Sequence, residues 1–119
     1  MHNFLGLVLE DISRGRAEAS YRFDERHTRI GGILHGGIVT ALLDQVMGTS
    51  ALTVNPGNNQ VTLELKINFL KPMAQNNSPF KVIGKVIRVG KKTIVCEGKI
   101  IDKENQICAI ALGTWYIIY

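Results

Sequence analysis

From Ile38 to Val54 apolar residues recur so densely that almost no polar face is left: Ile38, Val39, Ala41, Leu42, Leu43, Val46, Met47, Ala51, Leu52 and Val54. A helix that is apolar nearly all round belongs inside a protein. Asn55-Pro56-Gly57 stops it, and the pattern predicts a start at about His35 or Gly36. After the helix the period changes to two. Val61, Leu63, Leu65, Ile67 and Phe69 alternate with Thr62, Glu64, Lys66 and Asn68, which predicts a half-buried strand with the apolar set inward. Lys71-Pro72 closes that strand, and Gln75 to Pro79 reads as a loop. Strands then follow at Phe80–Val89, Thr93–Asp102 and Ile107–Tyr119, joined by turns at Gly90-Lys91-Lys92 and Lys103-Glu104-Asn105. The last strand is apolar on both faces, which predicts a central place. Ahead of the helix, an alternating extended stretch ends at Ser20 to Asp24, and Asp24 to Leu34 reads as a loop. Three strands joined by short turns make an antiparallel meander. One buried helix against such a sheet is an α+β layout.

Composition narrows this without redirecting it. The chain has 119 residues, 45% apolar and 20% charged, with no repeat or shift in composition. A single domain over 1–119 is expected, large enough to bury roughly two-thirds of its unfolded surface. The net charge of +4 is spread among acids. It suits an anionic small molecule, whereas no basic stripe interleaved with aromatics points to nucleic acid. Cys96 and Cys108 fall inside strands and read as small buried hydrophobes, and no Cys/His set suggests a metal. The apolar run at 38–54 is broken by Asp44, Gln45 and Gly48, too short and too polar to span a membrane. The N-terminus lacks a charged stretch followed by an apolar signal region, so a soluble, cytoplasmic protein is expected.

Two features carry chemistry. Glycines at a helix N-terminus, here Gly36 and Gly37 after His35, leave backbone N–H groups unpaired. The helix dipole adds partial positive charge there, so such an end can polarise a carbonyl and hold the oxyanion formed on attack. Read alone, the glycines serve a tight loop equally well, and His35 a hydrogen-bonded structural role. Asp44 is the second feature, mid-helix among Ala41, Leu42, Leu43, Val46 and Met47. An apolar setting disfavours the charged form of a carboxylate, the condition a general base near neutral pH requires. The alternative is an aspartate on a narrow wet face with Gln45 and Thr49. Helix geometry then adds a constraint. Eight residues at 1.5 Å each place Gly36 and Asp44 roughly 12 Å apart along the axis, against the roughly 3 Å that catalytic groups keep from reacting atoms. If both act on one substrate, two antiparallel helices must meet, Gly36 of one chain facing Asp44 of another, and a two-fold dimer would hold two equivalent sites.

The segment His27-x-Arg29-x-x-Gly32-x-x-His35-Gly36-Gly37, then Ala41-Leu42-Leu43-Asp44, then Thr62-Leu63-Glu64-Leu65-Lys66-Ile67-Asn68-Phe69-Leu70-Lys71-Pro72, resembles the phenylacetate-pathway branch of the hotdog-fold thioesterases, in order and over nearly the whole chain. The resemblance implies a long helix wrapped by a curved antiparallel sheet, a homodimer through edge strands, and often a homotetramer as a dimer of dimers. It implies hydrolysis of a small acyl-CoA thioester with no cofactor. Gly36 would polarise the carbonyl, His35 would shape the turn, and Asp44 of the partner chain would serve as general base or nucleophile. Thr62 stands where relatives carry a Ser or Thr that helps place the water or the aspartate. Gly37, Arg29 and the basic hairpin Arg88, Gly90, Lys91 and Lys92 are the expected substrate and CoA contacts, the hairpin reading equally as a solvated turn. Acyl selectivity is expected from pocket depth, set by packing of residues such as Met47, Phe69, Val61 or Leu52 across the dimer. Arg29 departs from the branch, which usually has Asn there. Arg is longer, charged and donor-only, so it would either weaken a nearby base or stabilise the oxyanion.

Two other activities suit the same layout. A hydroxyacyl dehydratase would need His35 to reach a carbon-bound proton of the substrate. A non-catalytic acyl-CoA sensor would bind without releasing thiol; sensors that act as repressors carry a helix-turn-helix segment, none is read in these 119 residues, and a repressor is therefore not expected.

Overall fold

The computed structural model describes residues 5–119. The first four residues, on which part of the N-terminal reading rests, lie outside the described residues. Six strands and one long helix follow in chain order: β1 Leu7–Ser13, β2 Arg16–Tyr21, α1 Gly36–Leu52, β3 Asn59–Phe69, β4 Phe80–Val89, β5 Thr93–Ile101 and β6 Ile107–Ile118. All pairings are antiparallel, in the order β1-β2-β4-β5-β6-β3. This is the one-helix, one-sheet α+β layout expected above, with the β4-β5-β6 meander in place. The single N-terminal stretch proves to be two strands. Gly15, at φ +80°, turns the chain between them, a conformation glycine adopts at no steric cost.

The helix lies in the sheet because two strand positions lack side chains. A Cβ on Gly84 of β4 would come 2.8 Å from the Met47 Cα and 2.9 Å from the Val46 carbonyl oxygen. One on Gly98 of β5 would strike the Met47 side chain. Val39, Leu42, Leu43, Val46, Met47, Ser50 and Ala51 are buried against the sheet, together with Tyr21, Phe80, Val82, Ile94, Ile100 and Trp115. The opposite side of α1 is only partly covered, with Gly37, Gln45 and Leu52 exposed and Asp44, Gly48 and Thr49 partly so. The expectation of a helix buried all round is therefore corrected: one chain covers one face.

The alternation in β3 is also corrected. The ladder to β6 slips between Thr62 and Glu64, leaving Leu63 as a bulge that reverses the phase of the strand. Leu65, Ile67 and Phe69 keep the inward phase. Before the bulge it is Gln60 and Thr62 that face the helix, Thr62 opposite the buried Trp115, while Val61 and Leu63 are exposed. β3 is an edge strand. β6 is interior, as its two apolar faces predict, but its outer row of Ile110, Leu112, Tyr116 and Ile118 stays 38–48% exposed. Among the described residues no helix is long and apolar enough to cross a membrane.

Candidate active site

The turn leading into α1 is held from below by a buried pair. Tyr21 Oη and His27 Nδ1 share a 2.7 Å hydrogen bond and their rings stack. Burial pushes the Tyr21 phenol up to about 12, so it stays neutral. The His27 carbonyl then accepts the His35 N–H at 2.9 Å, which fixes where the helix begins.

His35 is the N-cap, extended at φ −65° and ψ 139°, and its Nδ1 accepts the Gly37 N–H at 2.9 Å. Its carbonyl takes the N–H groups of Ile38 and Val39. Gly36, the first helical residue, has no such partner: its N–H donates to no group among the described residues. The two adjacent glycines are thus separated in role, one donor spent on the cap and one left open at the positive end of the helix.

Gly36 lines a pocket of about 340 Å³. Its walls are mostly apolar, with Leu34, Val39, Phe69, Met73 and Cys108 among them, and Arg29 and Lys71 also border it. Cys108 is no nucleophile here: burial, reinforced by the Asp102 charge, pushes its thiol up to about 11. Lys71 is engaged, its Nζ donating to Asp102 Oδ2 at 2.8 Å. Nothing within the chain requires a glycine at 36 for space, since a Cβ there would meet the Phe69 ring at an ordinary 3.7 Å.

Asp44 lies two turns further along α1. It is partly exposed, not enclosed by the apolar residues that neighbour it in sequence, because those point to the sheet. Its Oδ1 accepts the Thr62 hydroxyl at 2.9 Å. One helical turn on, Gln60 Nε2 donates to the Gly48 carbonyl at 2.9 Å. These two bonds lash the bulged start of β3 to the helix and hold the Asp44 carboxylate outward on the open face.

Arg29 lies in the pocket wall with Gly36, while Thr62 lies with Asp44. One chain does not bring these two pairs together, and the basic hairpin lies at the end of β6 away from the Gly36 pocket, the end where β3 begins. The Lys91 and Lys92 carbonyls accept from Tyr119 and Ile117, at the far end of β6 from Cys108. Nine strand residues, roughly 30 Å, separate Ile117 from Cys108, so Arg88, Gly90, Lys91 and Lys92 do not touch the pocket of their own chain. Of the residues expected to set acyl selectivity across a dimer, Phe69 is the one that lines the pocket of its own chain. Met47 is locked under the sheet, and Val61 and Leu52 are exposed elsewhere. Leu34, Met73 and Cys108 were not singled out by sequence, because they converge only when β6 pairs with the end of β3. A wider concavity of about 610 Å³ lies on the sheet's outer face, bordered by Lys66, Lys85, Lys99, Ile110 and Leu112, and contains none of the candidate catalytic residues. Among the described residues no group of three or more His, Cys, Asp or Glu side chains is placed to hold a metal.

The model of the thioesterase superfamily matches residues 31–109. A candidate esterase of Saccharolobus solfataricus is 44% identical over 97% of this chain and 81% of its own length. A Streptococcus mutans protein solved with acetyl CoA superposes with a TM-score of 0.91 at 22% identity, covering 99% of this chain and 93% of that one. The E. coli PaaI protein of the phenylacetic acid degradation operon gives 0.89 at 21% identity, covering 97% and 81%. At such identities the likeness to the solved structures is one of fold.

Proposed function

The chain belongs to the thioesterase superfamily and has its hotdog fold, and from that premise we propose that it hydrolyses a small acyl-CoA thioester, aryl or short to medium in chain, to the free acid and CoA. The observation that carries the reading is the open Gly36 N–H at the helix N-terminus, facing a mostly apolar pocket at the small end of ligand-binding volumes. The thioester carbonyl accepts from this N–H. Asp44 of a second protomer removes a proton from water as it attacks the carbonyl carbon, or attacks that carbon itself to form a mixed anhydride that water hydrolyses once the thiolate has left. The oxyanion grows against Gly36 and the helix dipole. Collapse breaks the carbon–sulfur bond, and the thiolate leaves to take up a proton. Thr62 fixes the carboxylate, and His35 keeps the Gly37 N–H occupied so that Gly36 presents the sole open donor of the pair.

His35 weighs against a dehydratase, since its Nδ1 is committed to the cap and the side chain is exposed outside the pocket lining. With Gly36 and Asp44 acting on one thioester, their separation supports a homodimer, and the half-open helix face and unpaired β3 edge are surfaces for it. The uncovered outer row of β6 supports a further pairing of dimers into a tetramer. Two free, buried cysteines suit a reducing, cytoplasmic setting.

The test is thiol release from a panel of aryl, short-chain and long-chain acyl-CoAs. The native protein should turn over at least one of them. Asp44→Asn should lose about a hundredfold or more in kcat while unfolding at the same temperature. Binding without release by the native protein would mark a sensor instead, and full activity in the variant would remove Asp44 from the mechanism.

A further inference from the structure

The pocket before Gly36 is bordered by two cations with different fates. The Lys71 charge is matched: its Nζ sits 2.8 Å from Asp102 Oδ2, and that carboxylate is wholly enclosed. Arg29 has no matching anion. Its Nη1 donates to the carbonyl of the next residue, Ile30, at 3.3 Å, and among the described residues no carboxylate forms an ion pair with it.

Nor is Arg29 on a random stretch of loop. Its N–H donates to the Ile33 carbonyl at 2.9 Å, and Thr28 and Leu34 bridge across the loop's base. Ile33 is in turn bridged to Ala74. The backbone under the guanidinium is therefore tied to the helix entrance on one side and to the pocket floor on the other. The remaining walls are largely aliphatic or aromatic.

A mostly apolar pocket bordered by one solvent-exposed guanidinium without a carboxylate partner suits a ligand that is apolar along most of its length and anionic at one point. Arginine grips a carboxylate through two parallel N–H bonds, a geometry that asparagine cannot supply with charge. Building on the assignment of Gly36 as the carbonyl's donor, we propose that the acyl group carries its own carboxylate, so that the substrate is the monothioester of a dicarboxylic acid. Gly36 holds the thioester carbonyl and Arg29 the free carboxylate, with the apolar wall between them receiving the connecting carbons.

Two other anions compete for Arg29: a phosphate of CoA, and the oxyanion. Thioether analogues separate all three, because they have neither a thioester carbonyl nor a cleavable thioester bond. The pair used is an S-(ω-carboxyalkyl) and an S-alkyl thioether of equal length, each made on CoA and on phosphate-free pantetheine. Affinities are measured by titration calorimetry with the native protein, Arg29→Asn and Arg29→Lys. The carboxylated analogue should bind the native protein about tenfold or more tightly than its neutral twin on both carriers, the size of one charge-assisted contact. Arg29→Asn should erase that preference and Arg29→Lys retain part of it. The proposal is overturned if the native protein shows no preference. Equal weakening of both CoA analogues in Arg29→Asn, with the pantetheine pair unaffected, would also overturn it and assign Arg29 to phosphate. Failure of hydrolysis in the acyl-CoA panel would remove the thioesterase reading without touching this ratio. Conversely, hydrolysis of neutral acyl-CoAs by a native protein that shows no preference for the carboxylated analogue would remove only the dicarboxylate proposal.

Discussion

Gly36 and Gly37 are neighbours in sequence with different work to do. The His35-Gly36-Gly37 run already pointed to a helix start with open donors. That Gly36 is the open donor came from the family resemblance alone; the residues by themselves did not decide it, since it depends on the His35 ring turning back onto Gly37. The distinction can be tested by removing one N–H. Proline is tolerated at the first position of a helix, where no intrahelical bond is lost. His35, at ψ 139°, is already extended as the residue before a proline must be. Gly36 has a helical place and room for ring atoms against Phe69. Gly36→Pro should therefore fold with little loss of stability, yet lower kcat by about a hundredfold to a thousandfold, the usual cost of one oxyanion donor. Steady-state kinetics beside a thermal melt decides it. Unchanged kcat in a folded variant would mean that the carbonyl is held elsewhere.

At the scale of elements, local periodicity read the strands well and failed where a strand changed phase. Nothing between Val61 and Phe69 announces the bulge at Leu63, because the alternation continues unbroken through it. The slip is imposed by pairing with β6, and it is what turns Thr62 toward Asp44. The turn between β5 and β6 was legible as Lys103-Glu104-Asn105, but its keystone is the preceding Asp102. That carboxylate accepts Lys71 at 2.8 Å and the N–H groups of Glu104 and Gln106 at 2.9 Å each. Lys71, followed by the two turn N–H groups, holds it down at about 2, against 3.8 for an ordinary aspartate. A carboxylate lowered on folding contributes stability above its unfolded value and loses it as pH falls toward its folded one. Asp102→Asn should therefore cost about 2 kcal/mol at neutral pH, the scale of a hydrogen bond to a charged group. The gap between native and variant should stay level down to about pH 4 and close progressively toward pH 2. Urea midpoints at pH 7, 4, 3 and 2.5 measure it. A gap independent of pH would mean that shape, not charge, makes Asp102 matter.

For the whole molecule, the sequence carried a message that one chain does not fulfil. Its helix is apolar nearly all round and its last strand apolar on both faces, yet a single protomer covers one side of each. Periodicity reports how many faces of an element are buried but not by which chain, so both features read as a deep core in an isolated sequence. They fit the rule that elements apolar on every side are enclosed only if other protomers supply the cover. If Gly36 and Asp44 act on one substrate, the distance along α1 asks the same of the chemistry. A hybrid dimer separates a split site from a self-contained one. Let one chain carry Gly36→Pro and the other Asp44→Asn, each with its own affinity tag, and purify the hybrid through both. If each site takes Gly36 from one chain and Asp44 from the other, one site of the hybrid loses both groups and its twin keeps both. Two inactive parents should then yield a hybrid with about half the native activity per dimer. If each chain used its own Gly36 and Asp44, both sites of the hybrid would be crippled, and it would be as inactive as its parents.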